Sequence, residues 1–204
     1  NLPEVTGTTL VHLAYSDKYL GYISVTDTIK EDTAEGLKAL KDIGVTDLVM
    51  LTGDNRETAE KVAEQAGITE VHANLLPENK VEIAEQIIDK GRITAFVGDG
   101  VNDAPVLARV DAGIAMGGLG SAAAMEAADV VIMDDNPKKI SLAIRIGRKT
   151  VRLAKENIWF ALIIKLLVLV LGALGLVNMW AAVFADVGVA VIAIANSMRA
   201  LRVK

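Results

Sequence analysis

The chain has 204 residues, a formal net charge of -5, no cysteine and 52% hydrophobic residues. The absence of cysteine excludes a disulfide scaffold, a thiolate metal site and a cysteine nucleophile within it. Residues before position 158 carry 25 acidic and 17 basic side chains. This excess argues against nucleic acid as a partner, because phosphate backbones are held by clustered Lys and Arg. Residues 158–204 carry only five charged side chains, so the composition predicts an acidic, water-soluble part joined to an apolar tail.

Short β-rich runs alternate with segments of helical periodicity in the soluble part. The predicted strands are Asp47–Leu51, Ile93–Val97, Ala112–Ala115 and Asp129–Met133, and the predicted helices are Thr33–Ile43, Glu57–Ala66, Glu78–Lys90, one helix after Ala104-Pro105, and Ser121–Ala127. Strands this apolar are typical of a parallel sheet that helices cover on both faces. Ligands of such sheets bind beyond the carboxyl ends of the strands. Polar residues that follow these strands are therefore the candidate site.

The first polar segment, Thr52-Gly53-Asp54, directly follows a predicted strand. A hydroxyl group and backbone N–H groups can cradle a phosphoryl group, and glycine allows a close approach. Asp54 taken alone is equally compatible with a helix cap.

A second polar segment, residues 98–103, directly follows another predicted strand. Its carboxylates, Asp99 and Asp103, are four residues apart with Asn102 between them, which suits a hard cation such as Mg²⁺. Lys80 lies near the start of a predicted helix, from which it can reach a phosphoryl oxygen, although a single lysine there is usually solvated. Together with the Thr52 segment, these residues predict phosphoryl transfer.

The apolar tail contains two long hydrophobic runs, Ile158–Val177 and Met179–Met198. Each matches the ~20 residues needed to cross a bilayer, and two buried helices of a soluble core are the alternative. Basic residues precede the first run and follow the second, so the positive-inside rule predicts that both ends are cytoplasmic. A basic helical stalk is predicted over residues 137–157.

Each hydrophobic run contains one charged residue near its middle, Lys165 and Asp186. At ~1.5 Å per residue they lie about 16 Å and about 12 Å from the turn, at similar depths on neighbouring helices. A charge there costs at least a few kcal/mol unless it is paired or hydrated. The two readings are an ion pair that only joins the helices, and an ion pathway in which the ammonium competes with a transported cation for the carboxylate.

The sequence Gly-Asp-Gly-Val-Asn-Asp-Ala-Pro at 98–105, with Thr-Gly-Asp at 52–54 before it, resembles the P-type cation-transporting ATPases. Asn157 and Lys165, with Asp-Val-Gly at 186–188, resemble the zinc/cadmium/lead branch of the heavy-metal pumps, and a copper or potassium pump is the runner-up. The match runs over essentially the whole chain, as the C-terminal portion of such a pump. The implied fold is α/β: a partial HAD-like (haloacid dehalogenase-like) parallel sheet with flanking helices, followed by a two-helix transmembrane hairpin.

The resemblance also implies roles for individual residues, with Mg²⁺ and ATP as cofactors. The implied site consists of the catalytic residues Thr52, Gly53, Asp54, Lys80 and Asn102, the nucleotide-binding residues Asp27, Lys30, Thr52 and Gly53, the Mg²⁺ ligands Asp99 and Asp103, and Asp186 for the transported ion with Lys165 as its counter-ion. Asp27 would lie near the ribose, in a segment similar to the family's hinge, and Asn102 would support the magnesium loop.

The implied organisation has four segments: a remnant of the nucleotide-binding domain (1–22), a phosphorylation domain lacking its nucleophile strand (23–136), the stalk (137–157) and the two transmembrane helices (158–204). The family's nucleophilic Asp-Lys-Thr-Gly motif does not occur in the sequence. We therefore expect part of an aspartyl-phosphate-forming exporter of Zn²⁺, Cd²⁺ or Pb²⁺ in the plasma membrane, multi-pass, with its soluble domain cytoplasmic. It should be inactive without the N-terminal part of the pump. A non-catalytic binding fragment and a membrane-tethered phosphatase are the alternatives.

Overall fold

The computed structural model describes residues 9–16, 18–25, 29–30, 32–117, 122–134 and 136–202. It consists of two compact units, residues 1–139 and 140–204. The first unit opens with an antiparallel hairpin of β1 (Thr9–Tyr15) and β2 (Lys18–Val25). β2 continues to Val25 and so passes residue 22, where the remnant of the nucleotide-binding domain was expected to end. That domain boundary stays a prediction. Asp27 lies outside the described residues, and Lys30 lies just before the first helix.

The rest of the first unit alternates helices and strands, which confirms the predicted α/β class. In chain order these are α1 (Thr33–Asp42), β3 (Val49–Leu51), α2 (Arg56–Ala66), β4 (Glu70–His72), α3 (Pro77–Ile88), β5 (Ala95–Gly98), a short α4 (Ala104–Leu107), β6 (Ala112–Met116), α5 (Ala122–Ala127) and β7 (Val130–Ile132). The starts of α1, α2 and α3 lie within one residue of prediction. For α2 the reason is local: the Asn55 side chain accepts a hydrogen bond from the Thr58 N–H, and Gly67 ends the helix with φ of 70°.

The parallel strands form two separate sheets. β3 pairs with β4, while β5, β6 and β7 pair in that order; within the described residues, no strand joins the two sheets. The central strand β6 is buried, but Ala95 and Val97 of β5 are exposed. The expectation that every strand is buried on both faces is therefore wrong for β5, because none of the described elements covers the face that carries these two side chains.

Glycine at position 113 allows β6 to pass directly beneath α4. A Cβ placed there would lie 2.4 Å from the carbonyl oxygen of Leu107, and backbone cannot move aside cheaply. We expect Gly113→Ala to lower the free energy of unfolding of the first unit by about 3 kcal/mol. Pulse proteolysis of the full chain in urea measures this. Gly147→Ala is the control: it adds a methyl group to an exposed helical site with open space around it and should cause no loss, so equal loss in both variants would contradict the prediction.

Two acidic side chains at the start of α1 hold the first residue of the next long helix. The ammonium of Lys138 lies 2.5 Å from Asp32 Oδ1 and 2.6 Å from Glu35 Oε2. The hydrogen bond to Asp32, followed by that to Glu35, raises the pKa of Lys138 above its usual value. Gly36 brings α1 so close to Pro137 that a Cβ would lie 3.1 Å from it. These contacts fix Pro137 and Lys138 against α1.

The second unit is built from two antiparallel helices, α6 (Lys138–Ala173) and α7 (Met179–Ser197). α6 runs unbroken through residues 157 and 158, where stalk and span were expected to meet. It ends at Ala173, four residues before the end of the apolar run. There Gly175 adopts φ of 70°, and the N–H groups of Gly175 and Leu176 donate to the carbonyls of Gly172 and Leu171, a Schellman C-cap.

Both long helices contain an apolar stretch of membrane-spanning length. The most apolar stretch is 0% buried in α6 and 6% buried in the helical segment that follows the turn. Core helices of a soluble protein are mostly buried, and within this chain these two stretches are not. The predicted two-helix transmembrane hairpin fits both the length and the exposure of these helices.

Candidate functional site

The Thr52-Gly53-Asp54 segment forms a tight loop at the carboxyl end of β3. The Thr52 hydroxyl donates to Asp54 Oδ2 at 2.8 Å and accepts from the Asp54 N–H at 3.1 Å. Asn55 rather than Asp54 caps α2, so the reading of Asp54 as a helix cap is wrong. The loop is tied to the segment before α3, because Leu75 N–H donates to the Thr52 carbonyl at 3.0 Å.

That same segment leads into α3, which places Lys80 against the loop after β5. The Lys80 ammonium lies 2.8 Å from Asp103 Oδ1. The Lys80 side chain is 16% exposed to solvent and the Asp103 side chain 12%. A cation and an anion are therefore held together at the carboxyl end of the sheet, largely shielded from water. The sequence placed these two residues at one site, and the structure brings them into contact.

Gly98 is a residue of this site that the sequence reading gave no role of its own. A Cβ at Gly98 would lie 2.8 Å from the Cβ and 2.9 Å from Oδ2 of Asp103. Only glycine at the end of β5 lets the Asp103 carboxylate fold back against the strand. The signal was present in the sequence as the glycine that immediately precedes the first carboxylate, Asp99.

Asp99 and Asn102 have surroundings different from those of Asp103. Both side chains are exposed, whereas Asp103 is 9% exposed. The structure gives the Asp99 carboxylate no ion pair with any other described residue. Across the described part of the chain, no group of three His, Asp or Glu side chains converges as a ready-made metal site. Of the two carboxylates available to a cation here, that of Asp99 is exposed and that of Asp103 is nearly buried.

In the second unit, the two charges of the apolar helices face each other. Lys165 Nζ lies 3.1 Å from Asp186 Oδ1, so the two charges are in contact as expected, while their part in binding a transported ion stays a prediction. The side chains remain 63% and 65% exposed. The pair therefore lies on the surface of the two-helix hairpin.

A second polar contact between α6 and α7 surrounds Asn157. Its Nδ2 donates to the carbonyl of Ala193 at 3.1 Å and to Ser197 Oγ at 2.9 Å, while its Oδ1 accepts from Asn196 Nδ2 at 2.8 Å. The resemblance pointed to Asn157, but its partners were missed. They lie 36 to 40 residues away, and an Asn and a Ser at a helix end carry no sequence signal of a long-range contact.

Comparison with known proteins gives a family match and close relatives. The family model "haloacid dehalogenase-like hydrolase" matches residues 4–111. The cadmium, zinc and cobalt-transporting ATPase of Bacillus subtilis is 50% identical over 207 residues, covering 100% of this chain and 30% of the relative. The zinc-transporting ATPase of Synechocystis sp. is 53% identical over 199 residues, covering 96% and 27%. The chain thus spans about 30% of the length of these curated relatives.

Solved structures with a similar fold point to the same group of proteins. The crystal structure of a zinc-transporting PIB-type ATPase in its E2.Pi state superposes with a TM-score of 0.84 at 38% identity, covering 96% of this chain and 32% of that one. A second crystal structure of a zinc-transporting PIB-type ATPase, in a different state, gives a TM-score of 0.82 at 37% identity. The chain therefore belongs to the haloacid dehalogenase-like hydrolase family and matches a portion of zinc- and cadmium-transporting P-type ATPases over essentially its whole length, as its motifs predicted.

Proposed function

We propose that the first unit handles the phosphoryl group in an ATP-driven heavy-metal pump and that the second unit supplies two of its membrane helices. The observation that carries the proposal is the shielded Lys80–Asp103 pair at the carboxyl end of β5. A fixed cation and a carboxylate that can hold a metal ion are the groups that phosphoryl transfer requires, because its catalysis is mainly positioning and charge neutralisation.

The donor set at this site fits Mg²⁺. Asp99 and Asp103 offer hard carboxylate oxygens, and Mg²⁺ usually takes one or two such ligands while completing its shell with phosphate and water. This agrees with the lack of a three-residue acidic cluster in the described part of the chain. Asp99 and Asp103 would hold the ion, which when bound would neutralise negative charge on the phosphoryl group. Asn102 would support the loop between them.

The chain's own residues would bind and orient the phosphoryl group. The Thr52 hydroxyl, which donates to Asp54 in this structure, would donate instead to a phosphoryl oxygen, with the backbone of Gly53 beside it. Lys80 would place its ammonium on the same group. Asp27 and Lys30 would contact the ATP that supplies it.

The division of the sheet supports a further part of the proposal. Within the described residues, β3 and β5 each have an unpaired edge, and functional residues follow both strands. We place the phosphorylated Asp on a strand that lies between them and belongs to another part of the complete protein. The share of the relatives that the chain spans, about 30%, leaves room for that strand. The chain alone would then be unable to form the phosphoenzyme.

In the membrane we propose that Asp186 binds a divalent heavy metal and that Lys165 is its counter-ion. The relatives are named as transporters of cadmium, zinc and cobalt or of zinc. An ion pair that is more than 60% exposed on the hairpin is costly in hydrocarbon. Further membrane segments of the complete protein would therefore cover the pair and complete the ion pathway.

The distribution of basic residues supports a cytoplasmic location for the first unit. The turn between the helices carries no charge. The basic side chains that precede the apolar part of α6 or follow α7 are Arg145, Arg148, Lys149, Arg152, Lys155, Arg199 and Arg202. By the positive-inside rule both helix ends face the cytoplasm. We propose a multi-pass protein of the plasma membrane.

Labelling with γ-³²P-ATP tests the phosphoryl-transfer proposal. The chain alone and the complete protein are each incubated with Mg²⁺ and Zn²⁺. We expect a hydroxylamine-sensitive label, as an acyl phosphate gives, on the complete protein only. Label on the chain alone, or a complete protein that stays unlabelled with both ions present, would contradict the proposal.

A further inference from the structure

The Asn157 side chain both donates and accepts hydrogen bonds between the two helices, through Nδ2 and Oδ1 respectively. Both contacts of Nδ2 and the contact of Oδ1 cross from α6 to α7, and the Ser197 hydroxyl itself donates to the Ala193 carbonyl at 2.8 Å. Asn157 and Asn196 are half-buried. A side chain with three partners on one short stretch of the other helix can be satisfied at only one relative position of the two helices.

This contact shares its register with the charged pair of the two helices. Lys165 follows Asn157 by eight residues along α6, and Asp186 precedes Ala193 by seven residues along α7. At ~1.5 Å per residue these steps are about 12 Å and about 10.5 Å, so both contacts fit the same antiparallel alignment. A slip of one helical turn, about 5.4 Å, would separate the Lys165 ammonium from its carboxylate.

Two further polar contacts tie α6 to the residues that follow α7: Arg199 lies 3.4 Å from Glu156 Oε2, and Lys149 donates to the Arg202 carbonyl at 3.2 Å. Both are exposed contacts of long side chains, which contribute little, so they define this alignment poorly. Between the Asn157 contact and the charged pair the facing side chains are apolar, and in lipid such contacts have no hydrophobic driving force. Apart from Ile140 at the start of α6, Leu153 and Val189 are the buried apolar side chains among the described residues of the two helices. The Lys165–Asp186 pair is itself exposed, so the described side chains of α6 and α7 do not pack over it. A single polar contact sets the register of other helix pairs in the same way.

We propose that Asn157, through Asn196 and Ser197, is a positioning residue that holds α6 and α7 in the register at which Lys165 meets Asp186. The turn after Ala173 fixes one end of the hairpin, and the Asn157 contact fixes the other. Lys165 lies eight residues from each of these two points. This inference deepens the proposed function, since the pair it positions is the proposed ion site, but its test requires neither ATP nor metal.

The test measures how often the ammonium and the carboxylate are in contact. In the complete protein, a membrane-permeable carbodiimide activates the Asp186 carboxyl group as an O-acylisourea; the deprotonated Lys165 amine attacks it, an amide forms and the urea leaves. Cyanogen bromide then cleaves after Met179, so that only the new amide joins peptide 134–179 to peptide 180–198. Asp186 is the only acidic side chain of the second peptide, and mass spectrometry of the joined peptides identifies the lysine.

We expect the wild-type protein to give the Lys165–Asp186 amide and Asn157→Leu to reduce its yield by about fivefold or more. Thr150→Val is the matched control, because that hydroxyl bonds only within α6, to the Ile146 carbonyl; its yield should stay at the wild-type level. Ser197→Ala should lower the yield and Ser197→Thr, which keeps the hydroxyl, should restore it. This second pair decides the question if Asn157→Leu fails to insert.

Wild-type yields in both Asn157→Leu and Ser197→Ala would overturn the proposal, and so would an equal loss in Thr150→Val. A loss of the amide in Asn157→Leu together with an absence of zinc-stimulated ATP hydrolysis in the wild type would leave the positioning role standing and remove the proposed transport function. The two failures are thereby distinguished.

Discussion

Asp103→Asn is expected to reduce ATP-dependent phosphorylation of the complete protein by about 100-fold or more. Asn keeps the shape of the side chain but removes the negative charge that pairs with Lys80 at 2.8 Å. We propose that this charge also holds Mg²⁺. Because Asp103 is 9% exposed, water cannot easily supply the lost interaction. Incorporation of labelled phosphate at a fixed Mg²⁺ concentration measures the effect.

Asp47→Asn provides the matched control for this variant. It removes the same charge from an ion pair, 2.7 Å from Arg92, in which both side chains are more than half exposed. Exposed pairs contribute little, so phosphorylation should be unchanged. Labelling of the Asp103 variant within about threefold of wild type would exclude Asp103 from the proposed chemistry.

Lys165→Ala is expected to leave phosphorylation intact while slowing release of the bound metal by about tenfold or more. In the wild-type structure the ammonium lies 3.1 Å from the Asp186 carboxylate and would compete with the metal for it. Without that competitor the metal would dissociate more slowly from the carboxylate. Stopped-flow measurement of zinc release from the complete protein in vesicles, with labelling as the parallel assay, separates the two effects.

Lys155→Ala serves as its control, since it removes a lysine from the same helix ten residues earlier, outside the predicted span. Zinc release should there match the wild type. An unchanged release rate in Lys165→Ala would remove Lys165 from the mechanism and favour the reading of the Lys165–Asp186 pair as a contact that only joins the helices.

The local elements of the first unit were predictable because their signals are local. α2 illustrates this: Asn55 and Gly67 mark its two ends by their side-chain and backbone chemistry. The pairing of Lys165 with Asp186 was predictable for a related reason. The two helices are joined by a short turn, so the number of residues between each charge and the turn gives its position along the helix axis. The end of α6 has a local signal too, because Gly175 adopts the left-handed conformation of its C-cap.

The contacts that were missed depend on neighbours distant in sequence. Alternation of strands and helices does not reveal which strands pair or which faces the helices cover. The separation of β3–β4 from β5–β6–β7 and the exposure of Val97 could therefore not be anticipated. The partners of Asn157 were missed for the same reason. Gly98 was visible as a glycine, but its purpose became clear only from its distance to Asp103.

We propose that the phosphoryl site and the membrane carboxylate are energetically coupled, and zinc-stimulated ATP hydrolysis by the complete protein in lipid vesicles measures this coupling. We predict that Zn²⁺ raises the hydrolysis rate of the wild type at least about fivefold and that Asp186→Asn abolishes this stimulation while leaving the metal-independent rate unchanged. Equal stimulation of the wild type and the Asp186 variant by Zn²⁺, or a wild type that does not respond to the metal, would exclude this coupling.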